Sequence, residues 1–163
     1  MTDHDQGANA GTAGSVPLRD FPQQQFGGTF TYRFSGFTML DRVMYRLAGL
    51  GRFQIDATGH VTGTQRSSIT ALQGQGAKLL TGNFKVEGRI AMQNDGTGSA
   101  TLTFTKTSGS GRGVKGEFNV IVAGSADRFW LVSAGGVVLD DKGKPTDEHA
   151  DELVDVEAIR IAA

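Results

Sequence analysis

Four polar side chains fall on faces that alternation otherwise gives to apolar residues. Tyr32 lies in phase with Phe30 and Phe34, Tyr45 with Leu47, Phe53 and Ile55, and Gln65 and Ser67 with Val61 and Ile69. A phenol or amide turned into an apolar interior needs a hydrogen-bond partner. Either these groups satisfy one another or sit at a mouth, or they act on a bound molecule. In the second case Tyr32 or Tyr45 donates a hydrogen bond to a carbonyl or enolate and Gln65 is its electrophilic partner, which is general-acid assistance in a dry cavity. The candidate catalytic residues are thus Tyr32, Tyr45 and Gln65. The candidate ligand-binding residues are Phe34, Phe53, Ser67, Phe84, Met92, Phe104 and Phe118, since pockets are lined by aromatic and apolar groups with few polar ones.

The remaining chemistry-bearing residues point to less. His60 follows the turn Asp56-Ala57-Thr58-Gly59 in opposite phase to Val61, which places it on a water-facing rim. His149 sits among Asp147, Glu148, Asp151 and Glu152, but that loop lacks the interior glycine and alternating oxygen ligands of a calcium loop, so it reads as solvated and no metal site is expected. Arg112 lies in Ser108-Gly109-Ser110-Gly111-Arg112-Gly113, a hairpin tip without the Lys-Ser or Lys-Thr ending of a phosphate loop. His4, His60 and His149 assemble into no Ser-His-Asp set. The absence of cysteine excludes disulfides, thiolate metal sites and a cysteine nucleophile. No cofactor is expected.

These residues must be positioned by strands. From Thr29 to Thr107 the chain repeats alternating runs joined by tight turns at Asp56–Gly59 and Asn94–Gly98, the pattern of an antiparallel meander. The fourth run, from Leu79 to Met92, is long and predicts a bend at Gly88. The seventh, Arg128 to Ser133, is apolar on both faces, so the tail or a second subunit must cover its outer side. After Val137-Val138-Leu139 an acidic loop, 140–152, precedes a closing strand whose parity change from Val156 to Ile159 predicts a bulge near Glu157-Ala158. The expectation is an all-β fold: a single antiparallel up-and-down barrel of about eight strands, closed because closure removes exposed edges. Gly49, Gly51, Gly63 and Gly82 interrupt its apolar faces and are expected to leave room for a ligand.

The chain of 163 residues is one domain's worth. Residues 1–26, rich in Gly, Ala, Gln and Asp, read as a disordered N-terminal arm, and residues 27–163 as the barrel domain. A net charge of -1 argues against nucleic acid as a partner. The charge is unevenly spread: twelve basic against six acidic residues from Gly27 to Trp130, three against eight from Leu131 onward. The first reading of this is a tail that folds back on the body. The apolar stretch Phe129 to Leu139 is too short for a membrane helix, which needs about 20 residues, and no membrane partner is expected; neither is a transmembrane barrel, for want of aromatic girdles. The start Met1-Thr2-Asp3-His4 has no basic-then-apolar leader pattern, so the default location is cytoplasmic, with a removed signal peptide the alternative. A homodimer is the weaker expectation for the seventh strand.

The phrase from Gly51 to Thr64, followed by Gly82-Asn83-Phe84 and Asn94-Asp95-Gly96-Thr97-Gly98-Ser99-Ala100-Thr101, resembles small bacterial β-barrels of the calycin type, including the allene-oxide-cyclase-like group. The resemblance covers about Phe30 to Val132 and rests on turn and strand signatures, with no catalytic residue of that group matched here. It implies a barrel, and it implies two functions: binding of a small apolar or amphipathic molecule, or cofactor-free cyclisation or isomerisation in natural-product biosynthesis. A purely structural or surface-interaction barrel is the third reading.

Overall fold

Among the described residues, the alternation of apolar and polar residues becomes nine strands, and eight of them close a barrel. The computed structural model describes residues 26–40, 43–72, 79–123, 126–150 and 152–162. The strands are β1 (Gly28–Leu40), β2 (Val43–Ile55), β3 (His60–Ala71), β4 (Leu80–Met92), β5 (Thr97–Gly109), β6 (Val114–Val122), β7 (Arg128–Leu139), β8 (Pro145–His149) and β9 (Glu152–Ala162). Each pairs antiparallel with its sequence neighbour from β1 to β7, and β9 closes the ring between β7 and β1. The all-β barrel class expected from the sequence is the observed one. The acidic stretch is not all loop: β8 forms within it and pairs with the second half of β7, through Val137 with His149 and Leu139 with Pro145.

Two expected irregularities lie elsewhere. The ladder runs regularly through Gly88, and the bulge between β4 and β5 falls where Asn83 and Phe84 face Ser108 and Lys106, leaving Thr107 as the extra residue. In β9 the phase does not change at Glu157-Ala158. Val154, Val156 and Ala158 all point inward, Ile159 and Ile161 face outward, and the slip comes at Ile161, opposite Thr29 and Phe30. The apolar residues near the end of β9 therefore stay outside, and Arg160 takes the inward phase instead.

The two ends of the barrel differ. One is packed solid by Phe26, Phe30, Phe53, Ile55, Val61, Ile90, Phe129, Leu131 and Ala158. Phe26, at the end of the stretch assigned to the arm, is 2% exposed, and its ring lies 4.9 Å from Phe129 and 5.8 Å from Phe30. Residues 1–25 lie outside the described ones. Arg160 caps this cluster: its guanidinium stands 5.1 Å over the Phe30 ring, donates to the carbonyls of Gly27 and Ala126, and pairs with Asp127. The turns at this end are held by Asp56, whose carboxylate accepts from Thr58 and from the His60 amide, and by Asp95, which accepts from Thr97. Those hydrogen bonds hold both carboxyls below the usual range.

The acidic tail does fold back on the basic body, through Arg33–Glu157 at 2.7 Å, Arg128–Glu157 at 3.7 Å and Arg112–Glu148 at 2.6 Å. It does not cover the outer face of β7. There β8 and β9 pair along the strand's edge, leaving Trp130 36% and Val132 44% exposed beside Ile121.

Because Phe26 fills the closed end, Phe26→Ala is expected to cost about 3–5 kcal/mol, the usual loss for deleting a buried phenyl group. Urea unfolding of the full chain measures it; a loss under about 1 kcal/mol would mean that the ring contributes no packing.

Candidate functional site

The open end of the barrel holds the inward polar groups. Its strands present Tyr32, Phe34 and Thr38 from β1, Leu47 from β2, Gln65, Ser67 and Ile69 from β3, and Phe84 from β4 around a cavity of about 110 Å³. Phe104, Phe118, Val138, Val154 and Glu152 close the other side. The connection from β5 to β6 does not stand free as a hairpin tip. Its Ser110, Gly111 and Arg112 fold over the mouth as a lip, and Arg112 is tied to Glu148 of β8. A second hollow of about 290 Å³ lies outside this lip, between Lys106, Arg112, Asp140, Asp141 and Glu148. Its walls mix charged side chains with Val138 and Leu139, whereas the inner cavity is lined mainly by apolar and aromatic groups, so the inner cavity is the better place for chemistry that needs exclusion of water.

Of the three candidate catalytic residues, the structure joins two. The Tyr32 hydroxyl donates to Gln65 Oε1 at 2.9 Å, and the Tyr32 ring stacks on Phe53 with centroids 4.0 Å apart. Burial pushes the Tyr32 phenol well above its usual range, so it keeps its proton and acts as a fixed donor. With Oε1 accepting from Tyr32, the amide nitrogen of Gln65 is left as the donor end. Tyr45 does not join them. It pairs with Thr38 and Ala71 near the open ends of β1 and β3 and is not among the residues lining the cavity.

The proposed lining divides similarly. Phe34, Phe53, Ser67, Phe84, Phe104 and Phe118 all contribute to the cavity wall. Met92 ends β4 opposite Gly98, at the closed end, and packs against the core there.

The glycines do not open the space expected of them. A Cβ at Gly49 would come within 2.5 Å of the Phe34 ring, one at Gly51 would meet the Tyr32 ring and hydroxyl, and one at Gly82 would approach the Phe84 ring at 3.0 Å. Gly63 is blocked by the backbone of Arg52 and Phe53. Aromatic rings lie over three of these four glycines, so the space gained at the wall is already filled and the cavity lies further in.

Sequence reading missed Glu152. It lies in phase with Val154, Val156 and Ala158, and that phase was the available signal; its place in a run of acidic residues hid it. In the barrel it faces inward, in register with Thr38, the buried hydroxyl of β1. Ser133 fixes the backbone here, donating to the Glu152 carbonyl at 2.8 Å and accepting from the Val154 amide at 2.9 Å, where pairing between β7 and β9 stops. Burial pushes the Glu152 carboxyl up to about 7. The cavity lining thus includes a carboxyl group that changes charge near neutral pH, in register with Thr38, and a tyrosine–glutamine pair further along β1 and β3, among largely apolar residues. Such a site can donate hydrogen bonds to an oxygen and exchange a proton.

Comparison of the chain with protein-family models, with curated proteins and with solved structures finds no match.

The raised Glu152 carboxyl carries a stability signature. The folded protein holds this proton more tightly than the unfolded chain, so the contribution is full below the ordinary carboxylate range and lost as pH rises to about 7. At about 1.4 kcal/mol per pKa unit, the loss is on the order of 3 kcal/mol. Denaturant midpoints from pH 4.5 to 8 are expected to fall in the wild type and to flatten over that window in Glu152→Gln. Parallel profiles for the two proteins would show that the carboxyl titrates as if in water.

Proposed function

We propose that this barrel binds one small apolar or amphipathic molecule through its open mouth, as calycin-type carriers do. The observation that carries this reading is the asymmetry of the interior: packed aromatic and aliphatic side chains at one end, and at the other a cavity walled by Phe34, Phe84, Phe104 and Phe118. A packed barrel of eight strands needs no such space to be stable. The size sets the class of ligand. Drug-sized ligands occupy about 300–1,000 Å³, whereas an apolar cavity of about 150 Å³ takes benzene. A cavity of about 110 Å³ therefore suits a short chain or a small ring, with any polar remainder extending past Arg112 at the lip.

A second reading, cofactor-free cyclisation or isomerisation in the manner of the allene-oxide-cyclase-like group, is favoured by one observation, the Tyr32–Gln65 pair within the same walls. Such a reaction draws mainly on holding a flexible molecule in a reactive shape. It predicts that Tyr32→Phe leaves binding intact and lowers turnover, because only contacts made in the transition state are lost.

Calorimetry with a series of straight-chain alcohols tests the binding reading. Affinity is expected to rise with chain length until the cavity is full, with a negative heat-capacity change. Ser67→Leu, which adds bulk to the wall, is expected to weaken binding of the longer alcohols at least tenfold while the unfolding midpoint stays within a few degrees. Failure of every alcohol to bind the wild-type protein would leave a purely structural or surface-interaction barrel.

A further inference from the structure

We propose that Glu152 is the ligand-recognising group of this cavity, its carboxyl hydrogen-bonding the carbonyl oxygen of a neutral and otherwise apolar ligand. The inference rests on the binding reading and names the class of molecule that the site would select.

The geometry carries it. Glu152 enters the cavity from β9, across the barrel from β3 and β4, and lines the same space as Phe84 and Phe118. The other polar groups around the space can all donate, although the hydroxyls of Thr38, Ser67 and Ser110 accept as well. The Tyr32 hydroxyl is used by Gln65, whose free end is its amide nitrogen, and Thr38 offers a hydroxyl in register with Glu152. An apolar molecule without oxygen would leave the Gln65 amide and the Thr38 hydroxyl facing carbon, which costs free energy wherever the molecule displaces the water that would otherwise bond them. A carbonyl oxygen accepts from them.

The charges nearby favour a neutral ligand. The titratable or charged groups that line the space with Glu152 are Tyr32 from β1 and Arg112 from the lip. Arg112 is neutralised by Glu148 of β8 at 2.6 Å, and Asp151 lies outside the described residues. A ligand carboxylate would meet Glu152, and the one cation lining the space among the described residues, Arg112, is already shared with Glu148. Because burial brings the carboxyl to about 7, the donor form prevails in mild acid and is lost in mild base.

Cyclohexanone and methylenecyclohexane, which share a shape and differ in the oxygen, are the probes, with cyclohexanecarboxylate as a third. Binding to the full chain is followed by protein chemical shifts at pH 5.5 and 8.5. At pH 5.5 cyclohexanone is expected to bind roughly tenfold more tightly than methylenecyclohexane, the span of one net hydrogen bond, and the preference is expected to shrink at pH 8.5. Glu152→Gln, which keeps a donor, is expected to retain the preference at both pH values. Glu152→Leu is expected to abolish it while methylenecyclohexane still binds, which also shows that the variant is folded. Equal binding of the two rings at both pH values overturns this proposal and leaves the binding reading standing; binding of neither removes both. Tighter binding of cyclohexanecarboxylate than of cyclohexanone transfers recognition to Arg112 and overturns the role of Glu152.

Discussion

Aromatic rings laid over glycines set the interior of this barrel. Phe34 faces Gly49 across the β1–β2 ladder and Tyr32 faces Gly51, and in each pair the ring lies where a Cβ would otherwise stand. A ring that lies along the wall does not reach the axis, so these pairs thin the middle of the barrel at the level of Tyr32 and above. They also fix the tyrosine. Held against Gly51 and stacked on Phe53, its hydroxyl reaches Gln65 on the next strand but one. Glycine weakens a strand by leaving nothing to pack, and the neighbouring ring restores the contact. The result is a wall that is both tightly packed and thin.

The closed end works in the opposite way. Phe26, Phe30, Phe53 and Phe129 meet ring against ring with centroids 4.9 to 6.4 Å apart, and Arg160 crosses above them. The bulge at Ile161 belongs to this arrangement: β9 stays in phase through Arg160, which turns inward to bond the carbonyls of Gly27 and Ala126. A buried guanidinium needs such partners, and the connections on either side of it supply them. One end of the barrel is thereby sealed by packing and by a charge, so the open end is left as the way into the cavity.

Charge follows the same division of labour. The basic body and acidic tail meet in exposed pairs such as Arg33–Glu157, cross-strand partners in the β1–β9 ladder that contribute little to stability. Arg112–Glu148 does more for the site, because it joins the lip to β8 and occupies the cation nearest the mouth. Among the described residues no charged group pairs with Glu152 inside, and burial accounts for its raised carboxyl. Distance along the chain concealed this: Glu148 and Glu152 are four residues apart and both acidic, yet β8 ends between them and one faces solvent while the other faces the cavity.

Alternation by itself determined the strands, the turns at Asp56 and Asp95, the closed barrel class and the inward phase of Tyr32, Gln65, Ser67 and the phenylalanines, because side chains on a strand alternate with period two whatever lies across from them. It left undecided which inward residues share a height in the barrel. Tyr45 and Met92 have the right phase and stand at the wrong levels, one near the rim and the other at the closed end. It could not tell whether a glycine leaves a hole or receives a ring, since that depends on cross-strand register. Nor could it tell Glu152 from the solvated acids beside it. Those outcomes belong to the tertiary structure, for a physical reason: ring packing, cavity volume and desolvation of a carboxyl are properties of groups brought together from separate strands, and only closure of the barrel sets their distances.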